Sequence, residues 1–203
     1  MSLTLASEEI AGSPEFRHLS TIGGIAVDLR YASPNNFVGR DLYSPFDCAW
    51  LHRDAAAALE RVVGWLRANR PDCTPLVLDA LRPQRVQQQL WDSLADTGLQ
   101  MYLASPQRGS IHSYGMALDI TLLDAHGREL DMGTRFDDMT DLSHPALEED
   151  FLAAGTLTGQ QVANRRLLRE AMLQAGFFGI RTEWWHFDCG DRELVRQTFR
   201  RVL

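Results

Sequence analysis

Hydrophobic and polar positions alternate in some parts of this chain and recur at helical spacing in others. Ile25, Val27, Leu29 and Tyr31 alternate with Ala26, Asp28, Arg30 and Ala32, which predicts a half-buried strand. Ser33-Pro34-Asn35-Asn36 breaks it. From Asp54 to Asn69, the residues Ala55, Leu59, Val62, Val63 and Leu66 share one helical face, and Pro71 marks the stop. Pro75 to Ala80 is a short apolar run that reads as a buried strand. Pro83 suits a first helical turn, and Val86, Leu90, Trp91 and Leu94 carry that helix to about Gly98. Asp124-Ala125-His126-Gly127 reads as a turn of hairpin type, and residues 133–160 are polar, acidic and irregular. Val162, Leu168, Ala171, Met172 and Ala175 predict a further helix ended by Gly176. Thr182 to Asp188 is aromatic and strand-like, and Leu194, Val195, Phe199 and Val202 predict a last short helix. Residues 1–24 read as a loose leader and residues 25–203 as one α+β domain.

The most informative stretch runs from Ser110 to Leu122. Gly115 gives freedom at a turn, after which Met116, Leu118, Ile120 and Leu122 point one way while Ala117, Asp119 and Thr121 point the other. An acid flanked by Leu and Ile is costly to bury unless something neutralises it. His112, just before the turn, can fold back to meet Asp119, and a metal ion gripped by both is the reading that the spacing suggests.

Composition narrows the class. The 203 residues suit one domain with a real core, and a formal charge of −7 disfavours a nucleic-acid partner, because phosphate binding wants a basic face. Cys48, Cys73 and Cys189 are far apart and form no CxxC, which fits a reducing compartment. Neither a signal peptide nor an apolar stretch of membrane-spanning length is apparent, so the expected address is the cytoplasm, with no membrane partner.

Thr182-Glu183-Trp184-Trp185-His186-Phe187-Asp188 supplies the remaining chemistry. His112, Asp119 and His186 make two imidazoles and one carboxylate, a donor set that leaves a fourth zinc position open for water. Glu183 is then available as a base beside that water, able to take its proton and return it to a leaving amine. Residues three apart on a regular strand face opposite sides, so the Glu183–His186 segment must bulge or turn. Arg82 stands between an apolar strand and a helix, where it can donate to an oxyanion; a salt bridge to Asp79 is the plainer reading. A structural zinc is the bland alternative for the set, but such sites are usually closed by four protein ligands, often cysteines, and Cys189 lies near enough to His186 to be watched.

The SxHxxGxAxD motif at Ser110–Asp119 is followed by ExWH at Glu183–His186. With them come Asp28-Leu29-Arg30-Tyr31-Ala32, Asn36-Phe37, Asp79 to Arg85, Met132 to Asp137, Ser143-His144 and Asn164-Arg165-Arg166. Over roughly Asp28 to Asp188 the chain resembles the D-alanyl-D-alanine dipeptidases of the VanX type, zinc D,D-peptidases that share the fold of the hedgehog signalling domain. The resemblance implies a central, mainly antiparallel sheet flanked by helices. It implies one zinc ion per chain on His112, Asp119 and His186, with Glu183 as base and Arg82 as the transition-state arginine. It further implies Asp137 as the anchor of a substrate ammonium group, with Ser110 lining the same pocket. The implied substrate is a small dipeptide, D-alanyl-D-alanine, in peptidoglycan dipeptide turnover or a role like glycopeptide resistance. The segment between Trp91 and Ser110 and the end after His186 are shorter than the family pattern, which leaves dipeptide restriction open. A D,D-carboxypeptidase acting on peptidoglycan stems and a catalytically inactive zinc-containing binding module are the rivals. Oligomeric state is not legible.

Overall fold

The computed structural model describes residues 3–203. Its strands are β1 (Thr4–Leu5), β2 (Phe16–His18), β3 (Ala26–Val27), β4 (Trp50–His52), β5 (Thr74–Asp79), β6 (Ala117–Leu123), β7 (Phe177–Gly179), β8 (His186–Cys189) and β9 (Arg201–Val202). Its α-helices are α1 (Arg53–Asn69), α2 (Gln84–Ser93), α3 (Glu148–Ala153), α4 (Gly159–Gln174) and α5 (Arg192–Thr198). Five strands form the central sheet in the order β3-β5-β6-β8-β7, parallel between β3 and β5 and antiparallel elsewhere. The fold is thus α+β, with the mainly antiparallel sheet expected.

Helix α1 forms where the apolar face predicts it. The His52 side chain accepts from the backbone N–H of Asp54, Asp54 sits in the positive first turn, and Arg67 lies in the last turn. Its buried face of Ala55, Leu59, Val62 and Leu66 meets Val77, Leu118 and Ile120 of the sheet and Leu168, Ala171 and Met172 of α4 in one core. Helix α4 is capped by Thr158 and Gln161, each side chain bonding the other's backbone N–H. Each large aliphatic side chain enclosed in this core contributes about 1.5–3 kcal/mol.

Several elements differ from expectation. The strand expected over Ile25–Ala32 pairs only at Ala26–Val27; residues Arg30–Ala32 then tighten into a 3₁₀ turn that buries Tyr31 against Phe37, Tyr43 and Phe136. The helix expected to reach Gly98 ends at Ser93, and turns follow. In the strand-like Thr182–Asp188 segment, only residues from His186 onward pair. The irregular 133–160 stretch includes the short helix α3. The last helix stops at Thr198, and Val202 belongs to β9. Residues 3–24 are tied down where a loose leader was expected. β1 runs parallel to β9, β2 pairs with β4, and Leu5, Ile10, Phe16, Leu19 and Ile22 are buried. No described helix is long and apolar enough to cross a membrane.

Gly115 closes the turn ahead of β6 at φ +65°, and a Cβ there would lie 2.6 Å from the backbone nitrogen of His52. Only glycine tolerates both the left-handed backbone and that approach. The tight turn brings the 3₁₀ segment Ile111–Tyr114 back against the mouth of the sheet, and His112 with it.

Candidate active site

Sheet register assembles the site. Asp79 on β5 pairs with Asp119 on β6, and Asp119 pairs with His186, the first residue of β8. Three adjacent strands therefore place one polar residue each in a single row, and the folded-back turn adds His112 above it. His112 Nε2 lies 3.1 Å from His186 Nδ1 and 3.3 Å from Asp119 Oδ1, while His186 Nδ1 lies 3.0 Å from that same oxygen. Donor atoms around one tetrahedral zinc, each about 2.0–2.2 Å from it, stand about 3.3 Å apart. The three atoms thus already have the spacing that the ion requires. Among the described residues no fourth His, Cys, Asp or Glu joins the cluster, which leaves a corner free.

The unused ring nitrogens are held as metal-ligating histidines require. His112 Nδ1 donates to the Ala80 carbonyl at 2.8 Å, and His186 Nε2 donates to Asp188 Oδ1 at 3.0 Å. Each bond aims the other nitrogen into the cluster. Arg192 clamps the second oxygen of Asp188. Burial alone would raise the Asp119 carboxyl, but His112 and His186 hold it well below the usual range. Burial would also lower His186, but Asp188 and Asp119 outweigh it and bring the imidazole to about 10 in the metal-free protein. Cys189 is no rival ligand. It alternates with Asp188 along β8 into the apolar core, and burial pushes its thiol up to about 11.

Arg82 is buried and forked. Its Nε donates to Asp79 Oδ2 at 2.8 Å, Nη1 to Gln87 at 3.1 Å, and Nη2 to Asp119 Oδ2 at 3.1 Å. The plain salt bridge to Asp79 and a place beside the metal-donor row are therefore both realised. Tyr43 holds the other Asp79 oxygen, and the guanidinium lies 5.1 Å over the Tyr31 ring.

A cavity of about 680 Å³ opens over this row, within the range of small-ligand sites. His112, Asp119, His186, Glu183, Arg82, Asp137 and Ser110, the residues singled out from the sequence, all line it. Glu183 reaches it because Thr182–Trp185 is a bend rather than a strand, with Trp184 and Trp185 buried edge-to-face beneath. Its carboxyl is raised to about 7, chiefly by burial and further by Asp119 and Asp188, against the pull of His186 and Arg82. Asp137 adopts a left-handed backbone at φ 62°, a strained choice for a residue with a side chain. Its Oδ1 accepts from Tyr31, and its Oδ2 is buried with no hydrogen-bond partner among the described residues. Burial and the charge of Asp119 push this carboxyl well above the usual carboxylate range. A second cleft of about 790 Å³ is also lined by Asp137 and contains none of the three donors.

Sequence reasoning missed Asp188 and passed over Tyr43 and Gln87. Asp188 had a signal: it lies two residues after His186 on a strand, hence on the same face. Tyr43 and Gln87 had none, since their partners Asp79 and Arg82 are brought to them only by the fold.

A row of two imidazoles and a carboxylate under a cavity, with a raised carboxyl beside it, defines a metallohydrolase type of site. The family model described as D-ala-D-ala dipeptidase matches residues 15–202, and the chain belongs to that family of zinc metallopeptidases. Curated relatives agree. A D-alanyl-D-alanine dipeptidase of Escherichia coli (strain K12) is 37% identical over 164 residues, covering 81% of this chain and 78% of its own. One from Enterococcus faecium is 30% identical over 202 residues, covering 88% and 92%. Among solved structures, the LdcB LD-carboxypeptidase aligns over 91% of this chain and 72% of its own at 12% identity, with a TM-score of 0.47, too loose a likeness to build on.

Proposed function

We propose that this peptidase hydrolyses D-alanyl-D-alanine to two D-alanines at one zinc ion held by His112, Asp119 and His186. Bound there, zinc supplies Lewis acidity toward a water to be ionised and a carbonyl to be polarised. Glu183, its carboxyl near neutrality, takes the proton of the attacking water and returns it to the departing amine. Arg82, fixed by Asp79 and Gln87, offers positive charge to the oxyanion that develops on the carbonyl. Asp137 receives the substrate's ammonium group on its free oxygen, and Tyr31 holds the other oxygen in place. Ser110 lines the same cavity. Such an activity serves peptidoglycan dipeptide turnover, or removal of the dipeptide where it confers antibiotic sensitivity.

The observation that carries this reading is the meeting of three metal donors with Glu183 and an unpaired buried carboxyl in one cavity. The preference for D-residues rests on family membership. A comparison of free and N-acetylated D-alanyl-D-alanine tests it. The reading expects the free dipeptide to be cleaved far faster, because acetylation removes the charge that Asp137 binds. Equal rates would favour a D,D-carboxypeptidase acting on longer stems.

A further inference from the structure

A free dipeptide carries a carboxylate as well as an ammonium, and the cavity above the donor row is lined by the acids Asp119, Asp137, Glu183 and Asp188 and by the arginines Arg82, Arg108, Arg181, Arg192 and Arg196. An arginine is the side chain best suited to receive that carboxylate, because its planar fork matches the two oxygens. Arg82, held by Asp79, Asp119 and Gln87, already serves the oxyanion, and Arg192 is bound to Asp188. Arg108 is largely exposed and bound to Glu193, and Arg181 is exposed at the rim with no partner to orient it among the described residues. Arg196, on α5, is different: its side chain is only 12% exposed, yet it lines the cavity. Its Nε donates to the Gly109 carbonyl at 3.2 Å and its Nη1 to Glu193 at 2.7 Å, which fixes the guanidinium plane against the turn carrying Ser110. Its Nη2 makes no hydrogen bond to another described residue and is not sealed from solvent. The Ser110 hydroxyl is in the same condition next door. A pre-aimed, partly desolvated guanidinium beside a free hydroxyl suits a carboxylate, since little side-chain entropy remains to be lost on binding.

We propose that Arg196, with Ser110 beside it, binds the C-terminal carboxylate of the substrate and makes the enzyme selective for a free C-terminus. The proposal rests on the dipeptidase reading above, with Asp137 taking the opposite end of the zwitterion. Charge-assisted hydrogen bonds lost from such a site cost about 10- to 100-fold in kcat/KM.

The test compares D-alanyl-D-alanine with its C-terminal amide, using zinc-loaded wild-type protein and the Arg196→Gln, Arg181→Gln and Glu193→Gln variants. Wild-type protein is expected to prefer the acid. Arg196→Gln should shrink that preference by about 10- to 100-fold while leaving the amide rate nearly unchanged. Glu193→Gln, which loosens the guanidinium without removing its charge, should keep most of the preference. A parallel fall on acid and amide in Arg196→Gln would mean a merely structural role and overturn the assignment. So would collapse of the preference in Arg181→Gln instead, since Arg181 borders the same cavity. Wild-type protein that cleaves the dipeptide without preferring acid over amide refutes Arg196 alone. Wild-type protein that cleaves neither compound refutes the dipeptidase reading and the assignment together.

Discussion

Replacing Glu183 by Gln keeps the side chain's size and removes its basicity, and pH titration of the wild-type protein probes the same group without mutation. The carboxyl is raised to about 7 by burial, with Asp119 and Asp188 adding to the shift. A base must be ionised to work, so activity is present above that pKa and lost as pH falls through it. With one titrating group, kcat/KM drops tenfold per unit on the acid side, or about 100-fold at pH 5 relative to the plateau for a pKa near 7. A bound dication nearby favours the carboxylate, so the working pKa should fall at or below about 7 and above the ordinary glutamate value near 4.3. Glu183→Gln should lower kcat by about 10²- to 10⁴-fold and abolish that acid limb. Zinc content should stay at wild-type level, because Glu183 is not one of the three donors. Steady-state kinetics from pH 4.5 to 9, paired with metal analysis of each preparation, measures all of this. A variant that keeps most of its turnover, or one that fails through lost zinc, would refute the assignment of Glu183 as base.

Other consequences concern the support of the site. Asp188→Ala should weaken zinc binding by about 10- to 100-fold in a competition titration with a chelator, because His186 loses the acceptor that orients it; Asp188→Asn should recover part of the loss. At pH 7 the metal-free His186, raised to about 10 by Asp188 and Asp119 against the opposing effect of burial, carries a proton that zinc must displace. Calorimetry in buffers of different ionisation enthalpy should therefore report release of about one proton from that ring per ion bound. Gly115→Ala forces a Cβ to within 2.6 Å of the His52 nitrogen at a left-handed backbone, and should lower stability by about 1–3 kcal/mol in a denaturant melt. An unchanged midpoint would mean that the turn can relax.

What the sequence revealed and what it hid divide along the range of the interactions. Helix α1 was legible because Ala55, Leu59, Val62 and Leu66 encode its buried face locally, and Pro71 ends it. The site was legible for a similar reason: a histidine before a glycine turn, an aspartate within an apolar strand and a Glu–His pair beside tryptophans are each unusual in their own neighbourhood. The pairing of β1 with β9 joins the two ends of the chain, and no local pattern can encode it. Ile25–Ala32 alternates like a strand, yet only two residues find a partner strand, and the burial of Tyr31 against Phe37, Tyr43 and Phe136 bends the rest into a turn. The polar ring around Arg82 was hidden too, since Tyr43, Asp79, Gln87 and Asp119 meet only after the sheet and α2 are in place.

The catalytic role proposed for His112, Asp119 and His186 requires that together they hold one zinc ion. Metal content and D-alanyl-D-alanine hydrolysis, measured on one purified sample before chelation, after it and after zinc is restored, test that requirement most directly. One zinc per chain, activity lost with the ion and regained with it, and neither found in His112→Ala are the predicted results. Hydrolysis that persists in the chelated protein, or a full zinc complement in His112→Ala, would contradict it.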